Sequence, residues 1–477
     1  MAKKRRKQPV KHPRPVAATT LAWEEDPGSG AAPISVGAPD PAAGPLAYRF
    51  PAPAPKPREY APGTAAFRYW VAVEALRRGA DYWASRVPGG RWQMGATLAV
   101  KLDAGVDLNA YYDRRALNFF HDRTADGMVY SGESPDVLCH EMGHAILDSV
   151  KPGLWDAASH EVAAFHESFG DMSAILGALQ LPSLRRAILA DTGGRLYRSS
   201  RLSRLAEQLG AAIRAQHPDA VDRDCLRNAV NSFAYQDPLT LPTSAPAAQL
   251  SAEPHSFSRV FTAAFFEALG GMLAALAAKP AAPTEQELLQ ASHAMGDVLI
   301  AGIRSASIVP DFYAEVAGSM VQAATEGNAG HAAALRSSFT RRGILPAGAR
   351  TPSGRAPARV PRSARRVGPE APALEQLALD VGAHGLRPPR LRVTLASQPR
   401  AFAPASATVD SRSPANTSAV AAAHAFVEDL FRRGRIDLGR RQSLLAVSPH
   451  TLKSHQLVAA GGELALQRRL FDCGCRG

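Results

Sequence analysis

The ten residues from Cys139 to Asp148, CHEMGHAILD, constrain this chain more than any other stretch. His140 and His144 are four apart, which at 3.6 residues per turn sets them about 40° apart on one helix face, so both imidazoles can meet one ion. The helix is bounded by its own residues: Ser134 is a natural N-cap, Pro135 suits the first helical position, and Lys151-Pro152-Gly153 ends it after roughly four turns. Glu141 follows the first histidine directly and lies beside the metal position rather than on it. A carboxylate placed there can act as base toward a water that the metal polarises. Cys139 points about 100° away from His140, and core packing is its expected job.

A catalytic zinc takes three protein ligands and keeps one position open, so a third donor must follow. The next helix, SHEVAAFHESFGDMSAIL from Ser159, brings Glu161, His166, Glu167 and Asp171 into an otherwise apolar pattern. Two carboxylates compete for the third place. Glu161 has Phe165 four residues on, which offers a metal ligand no support, whereas Glu167 shares its face with Asp171.

These residues resemble the thermolysin-like neutral zinc metalloproteases, whose first motif is HExxH followed four residues later by Asp, and whose second is Glu followed four later by Asp. Here the first is His140, Glu141, His144 and Asp148; the second is Glu167 and Asp171, with Glu167 lying 23 residues beyond His144. The resemblance implies one catalytic zinc on His140, His144 and Glu167, with Asp171 holding one imidazole and Asp148 supporting the other side of the site. LNAYYD, Leu108 to Asp113, is similar to the family segment that holds an extended peptide, which makes Asn109 and Ala110 candidates for contacting substrate backbone; a turn-forming Asn is the plain alternative. EPHSFSRVFTAAFFEAL is similar to the segment that opens with a catalytic His, so His255 is expected to donate to the oxyanion, a role worth about 3 to 4 kcal/mol. A polar surface His before a helix is the other reading. The resemblance further implies Asp237 in YQDPLT as the partner that keeps His255 charged, and Arg227 in CLRNAV as the arginine for the substrate carbonyl. Asp136 stands where the family carries a calcium-binding carboxylate, but the matching acid on the second helix falls near Ala178, so a double calcium site is not expected.

The similarity spans about residues 60 to 345 and implies an α+β, two-lobe zincin: a mixed lobe over 61–175 with a substrate-binding edge strand and the zinc helix, then a helical lobe over 176–345. The stretch AAFRYWVAVEALRRGADYWASRV predicts a helix, GATLAVKLDAGV a strand, and the residues from Ser134 to about Leu345 a nearly continuous series of helices. Residues 1–60, dense in Pro, Ala and Gly, read as a disordered or extended arm, with an arm packed on the body as the alternative. An Arg/Pro-rich linker over 346–372 leads to a small α/β domain over 373–477, with a helix in SAVAAAHAFVEDLFRRGR and strands in HQLVAAGGELALQRRLF.

The net charge of +12 sits in the flanks: the first sixteen residues hold seven Lys or Arg, and Pro346 to Pro369 holds six Arg, neither run with an acid. Solvated tails are the expectation for both, and nucleic acid is not expected as a partner of the catalytic region. No secretory signal is legible, which points to a cytoplasmic protein or non-classical export, and FTAAFFEALGGMLAALAA reads as a buried helix rather than a membrane span. Cys473 and Cys475 read as free thiols at a mobile end, with an inhibitory thiolate on zinc as a minor alternative. The expected activity is zinc-dependent hydrolysis of internal bonds in a peptide or protein substrate. The alternatives are a zinc-bearing scaffold without turnover, or an exported metallopeptidase-like protein whose basic flanks bind a polyanion. The sequence carries no signal for oligomeric state.

Overall fold

The computed structural model describes residues 18–347, 373–398, 418–439 and 452–473. The basic run at 1–16, nearly all of the linker and Cys475 lie outside them. Within the described residues the chain is mixed α+β.

Residues 18–60 are not a disordered arm. Strand β1 (Thr19–Ala22) pairs antiparallel with β2 (Ile34–Gly37), and β3 (Ala47–Arg49) lies parallel to β4 (Thr97–Lys101) in the main sheet. A few large side chains anchor this Pro-rich segment where composition suggested none: Leu46 and Tyr48 are buried, and Trp23 meets Phe67 edge-on at 5.8 Å. Arg77 on α1 (Ala65–Ala84) then donates to the carbonyls of Ala43, Pro45 and Leu46. Buried backbone carbonyls need such partners, and one guanidinium supplies three of them.

The main sheet continues with β5 (Ala110–Tyr112) and β6 (Ala116–Phe119), in the order β5-β6-β4-β3, with only β5 antiparallel to its neighbour. A two-stranded ribbon of β7 (His121–Thr124) and β8 (Gly127–Tyr130) leads into α2 (Pro135–Val150), where the Ser134 hydroxyl caps Val137 N at 3.3 Å as the sequence implied. Then come α3 (His160–Ala178), α4 (Pro182–Thr192), and α5 (Glu207–Gln216) between the short paired strands β9 (Arg204–Leu205) and β10 (Arg227–Asn228). The helical series is broken here. Residues 229–253 run without regular structure apart from one short helical turn, because Pro238, Pro242, Pro246, Asp237 and three Ser residues favour turns over helix.

Helices α6 (Pro254–Leu276), α7 (Glu285–Ser305), α8 (Phe312–Gly327) and α9 (Ala329–Arg341) complete the body. Among the described residues α6 is the one helix long and apolar enough to cross a membrane, but 67% of that stretch is buried, which makes it a core helix. Phe257, Phe261 and Phe265 on α6 are buried, and Phe261 meets Phe165 on α3 at 5.1 Å.

The C-terminal part forms a second sheet, β11 (Gln376–Asp380), β12 (Arg390–Thr394), β13 (Ile436–Asp437), β14 (His455–Ala460) and β15 (Glu463–Arg468), in the order β11-β12-β15-β14-β13. Helix α10 (Ala419–Arg432) packs Phe426, Val427 and Leu430 against Leu391, Val393 and Leu464. The same cluster includes Ala158 and Ala163 beside and on α3, and Ala158 N donates to Thr394 O at 2.8 Å. The second sheet is thereby docked at the start of α3. The chain does not end in that sheet: β16 (Phe471–Asp472) leaves it and pairs antiparallel with β5, adding a fifth strand to the main sheet.

Candidate functional site

Helices α2 and α3 cross where each has a glycine. A Cβ on Gly143 would lie 2.9 Å from Gly170 Cα, and one on Gly170 would lie 2.6 Å from the His140 ring. Both are closer than packed atoms allow, so the crossing needs both positions bare. This approach brings Glu167 to the histidines. Glu167 Oε2 is 3.3 Å from His140 Nε2 and 3.8 Å from His144 Nε2, and none of these three buried atoms has a hydrogen-bond partner among the described residues. The ligand atoms of His140, Glu141 and His144 lie within 4.8 Å of one another. Both oxygens of the buried Glu141 carboxylate also lack a hydrogen-bond partner.

Glu161, the competing carboxylate, faces elsewhere: it accepts from the Tyr235 hydroxyl and from Tyr313 N, both at 2.7 Å. Asp171 accepts from His140 Nδ1 at 3.0 Å, and Arg227 on β10 reaches it with Nη2 at 2.8 Å and Nε at 3.1 Å. Burial pushes the Asp171 carboxyl up, but Arg227 and His140 outweigh it and hold the group well below the usual carboxylate range. An ionised Asp171 accepting from Nδ1 fixes the tautomer that turns Nε2 toward Glu167.

Asp148 does not support an imidazole. Its carboxylate is taken by Arg114, at 2.6 Å from Nη2, and by the Tyr112 hydroxyl at 3.0 Å, because a guanidinium next to a buried acid forms the stronger, charge-assisted pair. It therefore ties α2 to strand β5. Asp237 is likewise not the partner of His255; it caps its own turn, accepting from Leu239 N at 3.0 Å, as an Asp before Pro readily does. The partner is Glu253, whose Oε1 lies 2.8 Å from His255 Nδ1 while Oε2 accepts from Ser256 N at 2.9 Å as the N-cap of α6. The sequence did hold a signal for this: Glu253-Pro254 places an acceptor and a helix start directly before the histidine. His255 Nε2 faces inward, 3.2 Å from Glu167 Oε2.

Asp136 accepts from Ala206 N at 3.0 Å and lines a small pocket with Asp26, Glu207 and Ala178, so its acidic neighbours come from the N-terminal segment and α5 rather than from α3. Burial and the Asp26 charge push its carboxyl up to about 8.

No family model and no curated protein matches the chain. What the site can do must come from its atoms. Burial raises Glu141 to about 8, with the neighbouring His140 charge opposing the shift and Glu167 and Asp472 adding to it. A carboxylate held near neutrality is suited to taking and returning a proton. Burial, followed by repulsion from His140, His166 and His255, drives His144 well below its ordinary value, whereas at His140 burial is outweighed by the Asp171 and Glu167 carboxylates, which push the ring up to about 9.

Two residues named from the sequence without a role in the site lie beside it. His166 is buried with neither ring nitrogen partnered, and its face stacks on Phe471 at 3.9 Å; the opposite walls are His144 at 5.1 Å and Trp155 at 5.3 Å. Cys473 is not a thiol at a mobile end. It is buried, 4.0 Å from Asn109 Oδ1, and burial and the Glu141 charge push its thiol well up. Asn109 Oδ1 accepts from Ala110 N at 2.8 Å, and Ala110 belongs to β5.

Proposed function

We propose that this chain is a zinc-dependent endopeptidase of the thermolysin-like kind, hydrolysing internal peptide bonds with Glu141 as general base. The observation that carries the reading is the set of three buried, unpartnered donors, His140 Nε2, His144 Nε2 and Glu167 Oε2, with the carboxylate oxygen 3.3 and 3.8 Å from the two nitrogens. Two donors held about 2.0 to 2.1 Å from one ion at a tetrahedral angle stand about 3.4 Å apart, so the set fits zinc. Left without an ion, each such atom would cost about 1 to 3 kcal/mol of lost solvation. Zinc bound there would supply Lewis acidity toward a scissile carbonyl and toward water.

Every other role falls to the chain. Glu141 takes a proton from the attacking water and returns it to the leaving amine. His255, its Nδ1 held by Glu253, donates through Nε2 to the carbonyl oxygen as charge develops there. Arg227, fixed by Asp171, donates through Nη1 to a neighbouring carbonyl. The edge of β5 binds an extended peptide through main-chain hydrogen bonds, which give affinity with little reading of side chains. In this reading the main sheet with α2 and the helices from α4 onward are the two walls of a thermolysin-type cleft.

The direct test uses a chain shortened to end at Leu470, since β16 fills the strand position that a substrate needs. Removing metal with phenanthroline should abolish hydrolysis of unfolded casein, and added zinc should restore it; full activity with no bound metal would overturn the reading. The helix crossing makes a second prediction. In Gly170→Ala the new methyl presses on the His140 ring, so stability should fall by about 1 to 3 kcal/mol and zinc affinity by about 10- to 100-fold. A competing chromophoric chelator measures the affinity, and an unchanged value would show that the bare crossing does not position the ring.

A further inference from the structure

A segment of this same chain lies in the cleft as a peptide substrate would. Strand β16 runs antiparallel to β5 with Phe471 opposite Tyr112 and Asp472 opposite Tyr111, and Cys473 N donates to Ala110 O at 3.0 Å. Its successive carbonyls meet the two donors to which substrate carbonyls were assigned. Asp472 O accepts from His255 Nε2 at 2.5 Å, and Cys473 O from Arg227 Nη1 at 3.5 Å. The Asp472–Cys473 peptide bond is thus centred between His255 and Arg227, with Glu141 beside Cys473. The preceding residue is gripped on all sides: Phe471 stacks on His166, and the Arg468 guanidinium lies over its ring at 4.0 Å. Arg435 pairs with the Asp472 side chain.

We propose that β16 is a tethered substrate and that the chain hydrolyses its own Asp472–Cys473 bond. The proposal rests on the peptidase reading above. A strand serving the fold alone would need the β5 pairing and the Phe471 pocket, but not one carbonyl on His255 and the next on Arg227. In the step, water oxygen adds to the Asp472 carbonyl carbon and Glu141 receives the water proton. The C–N bond then breaks, and Glu141 passes the proton to the departing Cys473 nitrogen. The second water proton, left on the new carboxyl, passes to the amine, so the products are a carboxylate at Asp472 and a peptide whose new ammonium terminus is Cys473. Phe471 and Asp472 are fixed by aromatic and ionic contacts, and Cys473 by main-chain bonds to Ala110 and Arg227 and by its thiol contacts. Tethering places the bond at high effective concentration, so the step is first order in protein.

The test starts from full-length chain purified free of metal. Zinc is then added to wild type and to Glu141→Gln, and intact mass is followed. Wild type should lose the residues after Asp472, with a half-time unchanged on about tenfold dilution, while the variant stays whole. Before zinc is added, peptide mapping should show Cys473 alkylated at least about 10-fold more slowly in the folded variant than in the denatured one, since the thiol is buried. Equal alkylation rates would overturn the docking. A wild-type chain that stays whole with zinc bound would overturn self-cleavage. If a chain ending at Leu470 then hydrolyses casein, the peptidase reading stands and β16 is an occupant that is not cut; if it does not, both fall.

Discussion

Glu141→Gln, made in the chain ending at Leu470, is expected to slow casein hydrolysis by at least about 100-fold while zinc stays near one per chain. The amide keeps the size of the carboxylate and can still occupy its buried place, so the helix and the metal donors should not move. What it loses is the ability to accept a proton. The expected separation of rate from metal content distinguishes a base from a ligand, because loss of a ligand lowers both. Equal rates for the two chains, measured at equal zinc content, would remove the mechanism and leave a metal site with no assigned chemistry.

The second large effect is expected at the third donor. Glu167→Ala should empty the site of zinc on gel filtration and lower the rate by about 10³-fold, the equivalent of about 4 kcal/mol of transition-state stabilisation. Its control is Glu161→Ala, at the other carboxylate on α3. That side chain accepts from Tyr235 and Tyr313, so its removal should cost about 1 to 3 kcal/mol of stability but leave zinc in place. Circular dichroism establishes that both variants are folded, and metal analysis by mass spectrometry reads the difference. Zinc retained in the first variant and lost in the second would exchange the two assignments.

The parts of this protein legible in its sequence are those set by local spacing. The four-residue interval of His140 and His144, the Ser134 cap and the four-residue interval of Glu167 and Asp171 each describe one helix, and α2 and α3 form over those residues. Glu167 could be preferred to Glu161 because its partner lies on the same helix face, and the crossing does bring it toward the imidazoles. Where a role depended on contacts between distant segments, the sequence misled. Asp237 and Glu253 are both acids upstream of His255; one is spent on its own turn and the other doubles back from the α6 cap. Asp148 has the right spacing, but β5 and the turn after it bring a tyrosine and an arginine to it. The Pro-rich residues 18–60 looked unanchored because a segment that packs through single aromatic side chains shows no periodicity. Gly143 and Gly170, whose bareness lets the helices meet, are invisible to any search for reactive side chains.

The pairing of β16 with β5 has a consequence for the protein's birth. Asn109 and Cys473 are separated by 364 residues, and at about 5 to 20 residues per second the ribosome needs roughly 20 to 70 s to travel between them. For most of that interval, once α2 and α3 have been made, the emerging polypeptide carries β3 to β6 and both helices with nothing paired to the outer edge of β5. Until β16 has been made and has paired, His140, His144 and Glu167 are reached from solution and the edge of β5 is open to other unfolded chains.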